Sequence, residues 1–333
     1  MEVRGNVLLA SLTTVGLGGR AQYFASCSTV EDLKEALLFA REKNLAVHIL
    51  GGGSNTIFAD KGFAGLVIKV ELKGMKFIKD GLVEAAAGEE WDNVVEECVK
   101  RGLAGLECLS GVPGSVGAAP VQNVGAYGQQ AADVVDEVEI LDRQTLGEVL
   151  FSSKQCQFGY RYSRFKGKDS GRYIVTKVTF RLRPGGESVV QYPELVKRLG
   201  EKATLEKVRE VVLELRKEKA LMAESGLQSC GSFFINPIIP RDKLSRLQKD
   251  YEVPHFEAGN DVKVSAAWLV EQAGYKKGFR RDNVGISPKH ALALVNYGGT
   301  AEELLVLAED IQAAVKKKFG IELEREPVVV SSV

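Results

Sequence analysis

The chain has 333 residues, 45% hydrophobic and 26% charged, which favours two or three domains with ample core. Lysine plus arginine and aspartate plus glutamate both number 44, so net charge is zero and neither nucleic acid nor a membrane surface is expected as a partner. No apolar run reaches a membrane span, no signal-peptide core opens the chain, and five scattered cysteines without a C-x-x-C pair fit neither a disulfide framework nor a zinc site. A cytoplasmic protein without a bound metal is expected.

Val30, Leu33, Leu37 and Ala40 recur at helical spacing behind Thr29, a plausible N-cap. The apolar run 47–50 reads as a strand, and Gly51-Gly52-Gly53-Ser54-Asn55 sits at its exit. Residues 65–70 read as another strand, so residues 1–70 form a small α/β unit.

Trp91, Val94, Val95, Cys98 and Val99 make an apolar helical stripe that Gly102 ends. A second glycine-rich loop, residues 111–128, follows. Residues 138–141 and 147–151 read as a β-hairpin. Ile174, Thr176, Val178, Phe180 and Leu182 alternate with polar residues, as in a half-buried strand. This second unit is α+β and spans residues 71–200.

Val208, Val211, Val212 and Leu215 line a helix that opens the third unit, residues 201–333, and Arg216 and Lys219 at its end read as solvated. The element Gly231-Ser232-Phe233-Phe234 comes next. Residues 266–272 form a short helix ended by Gly274. Thr300 with Glu303 is a capping box for a helix carrying Leu304, Leu307, Ala308, Ile311 and Val315 to Gly320. A strand at residues 328–330 is expected to close the third unit.

Two glycine loops that begin 60 residues apart lay bare backbone N–H groups, and convergent N–H groups bind anions such as phosphate. The first loop is neither G-x-G-x-x-G nor a Walker motif, and alone it reads as a turn. The second is more specific: its glycines, Pro113 and the amides Gln122 and Asn123 suit close approach of backbone to a flat polar ligand. Ser232 has no G-x-S-x-G elbow, and the chain has only three histidines, which disfavours a serine hydrolase. Its hydroxyl could donate a proton or simply be a satisfied strand hydroxyl. Arg161 could hold a carboxylate, and Glu326, entering an apolar tail, could have a shifted pKa; alone, each would be an ordinary surface residue.

Taken together and in this order, the motifs resemble the UDP-N-acetylenolpyruvoylglucosamine reductase family. They are Thr13-Thr14 with Gly18-Gly19, Leu50 to Asn55, Ser110 to Gly128, Phe158-Gly159-Tyr160-Arg161, Gly231 to Pro237, Ala267-Trp268-Leu269 with Gln272, and Leu323-Glu324-Arg325-Glu326. The resemblance covers residues 12–330, and Gln191-Tyr192-Pro193-Glu194-Leu195 is similar to the mobile tyrosine element of the family's first type. It implies an α+β, three-domain flavoenzyme: a vanillyl-alcohol-oxidase/PCMH-type FAD-binding fold in two subdomains, plus an α/β substrate-binding domain.

The resemblance further implies non-covalent FAD held by Gly51, Gly52, Gly53, Ser54, Asn55, Gly111, Pro113, Gly114, Ser115, Gly117, Asn123, Gly125 and Tyr127. It makes Ser232 the general acid and Arg161 and Glu326 its partners, with Glu326 preferred to Glu324 on spacing. Tyr192, Lys219, Asn236 and Gln272 would contact the UDP-sugar. The implied reaction is NADPH-dependent reduction of UDP-N-acetylglucosamine enolpyruvate to UDP-N-acetylmuramate, in peptidoglycan synthesis and hence cell wall biogenesis, cell shape and division. A monomer is expected. Two other classes compete: an FAD oxidase of the same fold, which would use oxygen and not need Ser232, and a non-catalytic nucleotide-sugar binder, which would be colourless.

Overall fold

In the computed structural model, residues 1–221 and 226–331 are described. The N-terminal sheet has the order Val3–Leu8, Arg20–Cys27, Phe63–Val70, Ala46–Leu50. Its first pair is antiparallel and the other two are parallel. Parallel neighbours need a crossover, here the helix Val30–Glu42. Thr29 caps that helix by accepting from Asp32 N–H, and Leu33, Ala36, Leu37 and Ala40 are its buried face.

An antiparallel five-stranded sheet follows, in the order Glu148–Ser152, Val135–Asp142, Tyr173–Arg181, Leu82–Ala86, Met75–Phe77. The expected hairpin is its first pair. The helix Trp91–Lys100 buries all five residues of the predicted stripe. Trp91 packs edge-on against Phe180 and donates its indole N–H to Leu109 O at 3.1 Å, which ties the helix to the approach to the second glycine loop.

Beyond residue 200 the helix Leu205–Glu218 leads to two small antiparallel sheets. One is ordered Gln228–Ser232, Ala293–Asn296, Val284–Ile286, Arg280–Arg281, the other Ile238–Ile239, Asp261–Val264, His255–Ala258. The helix Ala301–Phe319 covers the first sheet, with the capping box of Thr300 and Glu303 at its start and a left-handed Gly320 at its end.

The final strand forms, but it does not close the third unit. Val328–Val330 pairs in parallel with Thr56–Phe58, and Val330 enters the core of Leu9, Ala21, Phe24 and Phe58. A run of three valines specifies extended backbone through β-branching but carries no information about the partner. Other contacts cross at the same seam. Asp60 accepts from Ala301 N–H and Glu302 N–H, both at 2.9 Å, Thr14 Oγ1 donates to Ser229 O at 2.7 Å, and Asn296 Nδ2 donates to Val15 O at 3.0 Å. The site described next lies along this seam.

Candidate active site

The two glycine loops meet. A Cβ on Gly52 would lie 2.8 Å from Gly114 Cα, so only glycine allows this approach. Ser54 Oγ donates to Pro113 O at 3.2 Å and thereby ties the loops together. The second loop is braced from behind: Trp91 N–H donates to Gly114 O (3.0 Å), Val116 N–H to Glu89 O (2.9 Å) and Gly117 N–H to Ala87 O (2.8 Å). Gly51 lies against Ser115, and Gly53 O accepts from Thr14 N–H at 3.2 Å. Asn55 Nδ2 reaches both Gln122 Oε1 (2.7 Å) and Glu326 O (3.2 Å), linking first loop, second loop and C-terminus. Asn123 is buried, and its amide is used inside the protein, donating to Gly159 O at 2.8 Å and accepting from Ala132 N–H at 2.9 Å.

That bond from Asn123 fixes the turn that carries Arg161. Gly159 and Tyr162 exchange backbone bonds of 2.9 and 3.2 Å, and Arg161 takes the left-handed conformation at φ 51°. Its Nε donates to Glu326 Oε1 at 3.0 Å and its Nη2 to Gly125 O at 2.6 Å. A Cβ on Gly125 would stand 2.9 Å from Arg161 Nη1, so this glycine leaves room for the guanidinium.

Glu326 arrives from the other side. Its N–H donates to Phe233 O at 2.9 Å, and Phe234 bridges Arg325, so the Gly-Ser-Phe-Phe element and the C-terminal segment run together. Burial pushes the Glu326 pKa up against the opposing effect of Arg161. Glu324 points elsewhere: it is 71% exposed, with Lys166 at 3.7 Å. Ser232 is half-buried at the end of its strand, paired with Ala293, and its Oγ has no hydrogen-bond partner among the described residues. Arg161 and Glu326 are thus in contact, and Ser232 immediately precedes the residue that holds the Glu326 backbone.

A second group adjoins them. Tyr192 sets its ring edge-on to Tyr127 at 5.3 Å and near-parallel to Phe256 at 6.5 Å. Lys219 Nζ lies 5.4 Å from the Tyr127 ring and donates to Glu194 Oε2 at 2.5 Å. Asn236 accepts from Ala266 N–H at 2.8 Å, at the start of the short helix. Gln272 is not brought to this cluster: it is exposed at the far end of that helix, and its carbonyl accepts from Lys318 Nζ at 2.5 Å.

Two cations of the site escaped the sequence reading. Lys263 Nζ lies 4.7 Å from the Tyr160 ring and 5.7 Å from that of Phe256, and burial together with Arg161 lowers its pKa. It occupies an ordinary alternating strand, which gave no signal. Arg216, expected at a solvated helix end, is instead buried. Its signal was there: Val208, Val212 and Arg216 fall at i, i+4, i+8, one face of the helix.

Close, glycine-permitted backbone loops, a partly buried carboxyl beside a guanidinium, and an aromatic and cationic wall suit an extended anionic ligand with a flat ring. A family model described as "FAD binding domain" matches residues 21–150, and one described as "UDP-N-acetylenolpyruvoylglucosamine reductase, C-terminal domain" matches residues 222–330. The UDP-N-acetylenolpyruvoylglucosamine reductase of Thermobifida fusca is 43% identical over 98% of this chain and 97% of its own. That of Pseudomonas aeruginosa is 39% identical over 98% of both. The crystal structure of UDP-N-acetylenolpyruvylglucosamine reductase from Thermus caldophilus superposes with a TM-score of 0.71 at 26% identity, covering 99% of each chain.

Proposed function

The chain belongs to the UDP-N-acetylenolpyruvoylglucosamine reductase family, and from that premise we propose how its residues divide the work. It is an FAD-dependent oxidoreductase that uses NADPH to reduce UDP-N-acetylglucosamine enolpyruvate to UDP-N-acetylmuramate, a step of peptidoglycan precursor synthesis. The observation that carries the assignment of roles is the partly buried Arg161–Glu326 pair beside Ser232.

When bound, FAD would supply the transfer of hydride from NADPH to the vinyl ether of the substrate. The two glycine loops fit its diphosphate, because their backbones approach without side chains between them. Negative charge then develops on the substrate carbon next to the carboxylate. Arg161 is held by Glu326 and Gly125 O, so its charge needs no reorganisation when that carbon becomes basic. A protonated Glu326 donates a hydrogen bond to the same carboxylate, where an ionised one would repel it; burial favours the protonated form. Ser232 Oγ–H gives its proton to the carbon, which a weak acid can do only at short range to a strong base. Tyr192, Lys219 and Asn236 bind the UDP-sugar in this reading, and Gln272 joins them only by reaching across from the exposed end of its helix.

We divide the chain into residues 1–70 and 71–200 as FAD-binding subdomains and 201–333 as the substrate domain, with the last strand lent back to the first unit. The largest sheet of each stretch is separate from the others, which supports this, while the short pair Ser188–Val189 and Lys202–Ala203 spans the second boundary. Action as a monomer in the cytoplasm completes the proposal; no helix among the described residues is long and apolar enough to cross a membrane. The test is an anaerobic absorbance series. Purified protein should be yellow, bleach with NADPH and regain colour with the enolpyruvyl sugar nucleotide. Colour restored only by oxygen, with peroxide formed, would mean an oxidase.

A further inference from the structure

Glu107 is 0% exposed and takes no part in the chemistry described above. Its carboxyl receives three hydrogen bonds, all from neutral donors: Gly105 N–H to Oε2 at 2.6 Å, Gln129 Nε2 to Oε1 at 2.8 Å and Ser188 Oγ to Oε1 at 2.5 Å. All three partners donate, which suits an acceptor-only carboxylate. No lysine or arginine among the described residues pairs with it. A buried carboxylate without a counter-charge is costly, and what it can return is one specified arrangement rather than stability.

That arrangement joins two segments of the site. Gln129 stands in a short hairpin, in which it pairs with Ala126 while Gln130 pairs with Gly125. Its amide is held at both ends, because Oε1 accepts Cys108 N–H at 2.9 Å. The hairpin presents Gly125 O to Arg161 Nη2 at 2.6 Å and carries Tyr127 between its strands. Ser188 opens the other segment. It pairs with Ala203, Val190 N–H donates to Glu201 O at 2.9 Å, and buried Val190 shares a core with Cys108, against which Tyr192 packs. The two segments meet again at Tyr127 and Tyr192, whose rings lie edge-on at 5.3 Å. A single oxygen, Glu107 Oε1, thus takes one bond from each segment. One segment leads to Arg161 through Gly125, and the other carries Tyr192.

We propose that Glu107 is a positioning residue for the reaction, the common anchor that sets Tyr192 against the sugar nucleotide and, through the hairpin, Arg161 against the carbon that becomes basic. The inference rests on the flavoenzyme reading above. Being fully buried, Glu107 acts only through Ser188 and Gln129. The competing role is a bond network that serves the fold alone.

Three variants of the holoenzyme separate these roles. Glu107→Gln keeps the size, but whichever way its amide turns, an NH2 group faces a donor. Ser188→Ala frees only the segment of Tyr192, and Gln129→Leu frees only the hairpin. FAD content, UDP binding by calorimetry, anaerobic reoxidation at saturating enolpyruvyl substrate and thermal unfolding are measured. Ser188→Ala should weaken UDP about two- to tenfold, the range of one hydrogen bond, and change the saturated rate less. Gln129→Leu should slow the saturated rate about tenfold, since a small misplacement of a charge-stabilising group is costly, and change UDP binding less. Glu107→Gln should show both losses at unchanged FAD content. If Glu107→Gln melts earlier but binds UDP and reoxidises like wild type, the network serves only the fold and the proposal fails. It fails too if Ser188→Ala and Gln129→Leu lower binding and rate alike, in step with lost FAD. Should Glu107→Gln not accumulate, these two variants decide by the same criterion. Wild-type protein that neither bleaches with NADPH nor regains colour with substrate would instead overturn the underlying reading.

Discussion

Arg161 and Glu326 stand 165 residues apart in the chain, yet Nε and Oε1 are 3.0 Å apart, with 19% and 14% of the side chains exposed. Two effects oppose each other at Glu326. Arg161 favours the carboxylate and burial disfavours it, and burial wins, so the pKa is raised. The folded state then keeps its proton to higher pH than the unfolded chain. The stability this contributes is fully present below the ordinary glutamate pKa and is lost as pH rises through the elevated folded value. Glu326→Gln cannot ionise. It should therefore lose less stability than wild type between pH 4 and pH 8, a difference that thermal melts across that range would register. Equal slopes would mean that Glu326 titrates normally in the fold.

Gly125→Ala tests the room left for the guanidinium. The new methyl would stand 2.9 Å from Arg161 Nη1 and 3.1 Å from Gln129 O. The arginine tip can move and the carbonyl cannot easily, so the expected outcome is a folded enzyme with a displaced Arg161. Reoxidation by substrate should slow about tenfold or more, since misplacing a charge-stabilising group is costly, while FAD content holds. Rapid-mixing kinetics at the flavin band would reveal the loss. A wild-type rate would show that Arg161 need not sit where Gly125 allows it.

Asp60→Ala addresses the seam. The Asp60 carboxylate accepts from two N–H groups at the start of the helix Ala301–Phe319, alongside the local cap Thr300. Losing such a cap costs about 0.5–2 kcal/mol. Urea denaturation should show that drop at an unchanged slope, with catalysis at saturating substrate preserved. An unaltered midpoint would leave Thr300 as sufficient on its own.

What the sequence made legible was local. Periodicity located the helices that bury Leu33 and Leu37, Trp91 and Val95, and Leu304 and Ile311, because a helix's buried face is written at fixed spacing. The motif order also identified Arg161 and Glu326, whose contact no local rule could give. What stayed hidden was non-local. Val328–Val330 shows its extended conformation but not that Thr56–Phe58 is its partner. Arg216 falls on the apolar face of its helix, yet a charged residue near a helix end reads as solvated until the carbonyls of Gly111 and Leu221 are seen around it. Gln272 shows the converse: a motif names a residue without saying which way its helix faces.

Tyr192→Phe keeps the ring contacts with Tyr127 and Phe256 and removes only the hydroxyl. If that hydroxyl reaches the nucleotide, its loss should cost roughly 0.5–1.5 kcal/mol of binding. Titration with the UDP-sugar would then show a dissociation constant raised by about two- to twelvefold, at unchanged FAD content. An unaltered constant would leave Tyr192 as an aromatic wall and nothing more.

Ser232→Ala separates the half-reactions. Ser232 Oγ is half-buried without a hydrogen-bond partner among the described residues, next to the residue that holds the Glu326 backbone. Reduction by NADPH needs no proton delivered to carbon, so bleaching of the flavin band should proceed near the wild-type rate. Reoxidation by the enolpyruvyl substrate needs the acid and should slow by roughly 10²–10⁴, the range of a positioned general acid. Anaerobic stopped-flow measures both steps on one sample, and Ser232→Cys, with a more acidic proton in nearly the same place, should recover part of the second. Equal slowing of both halves would make the serine structural. An unchanged second half would remove it from the chemistry and leave the proton to come from solvent, in which case the rate of that half should follow buffer concentration.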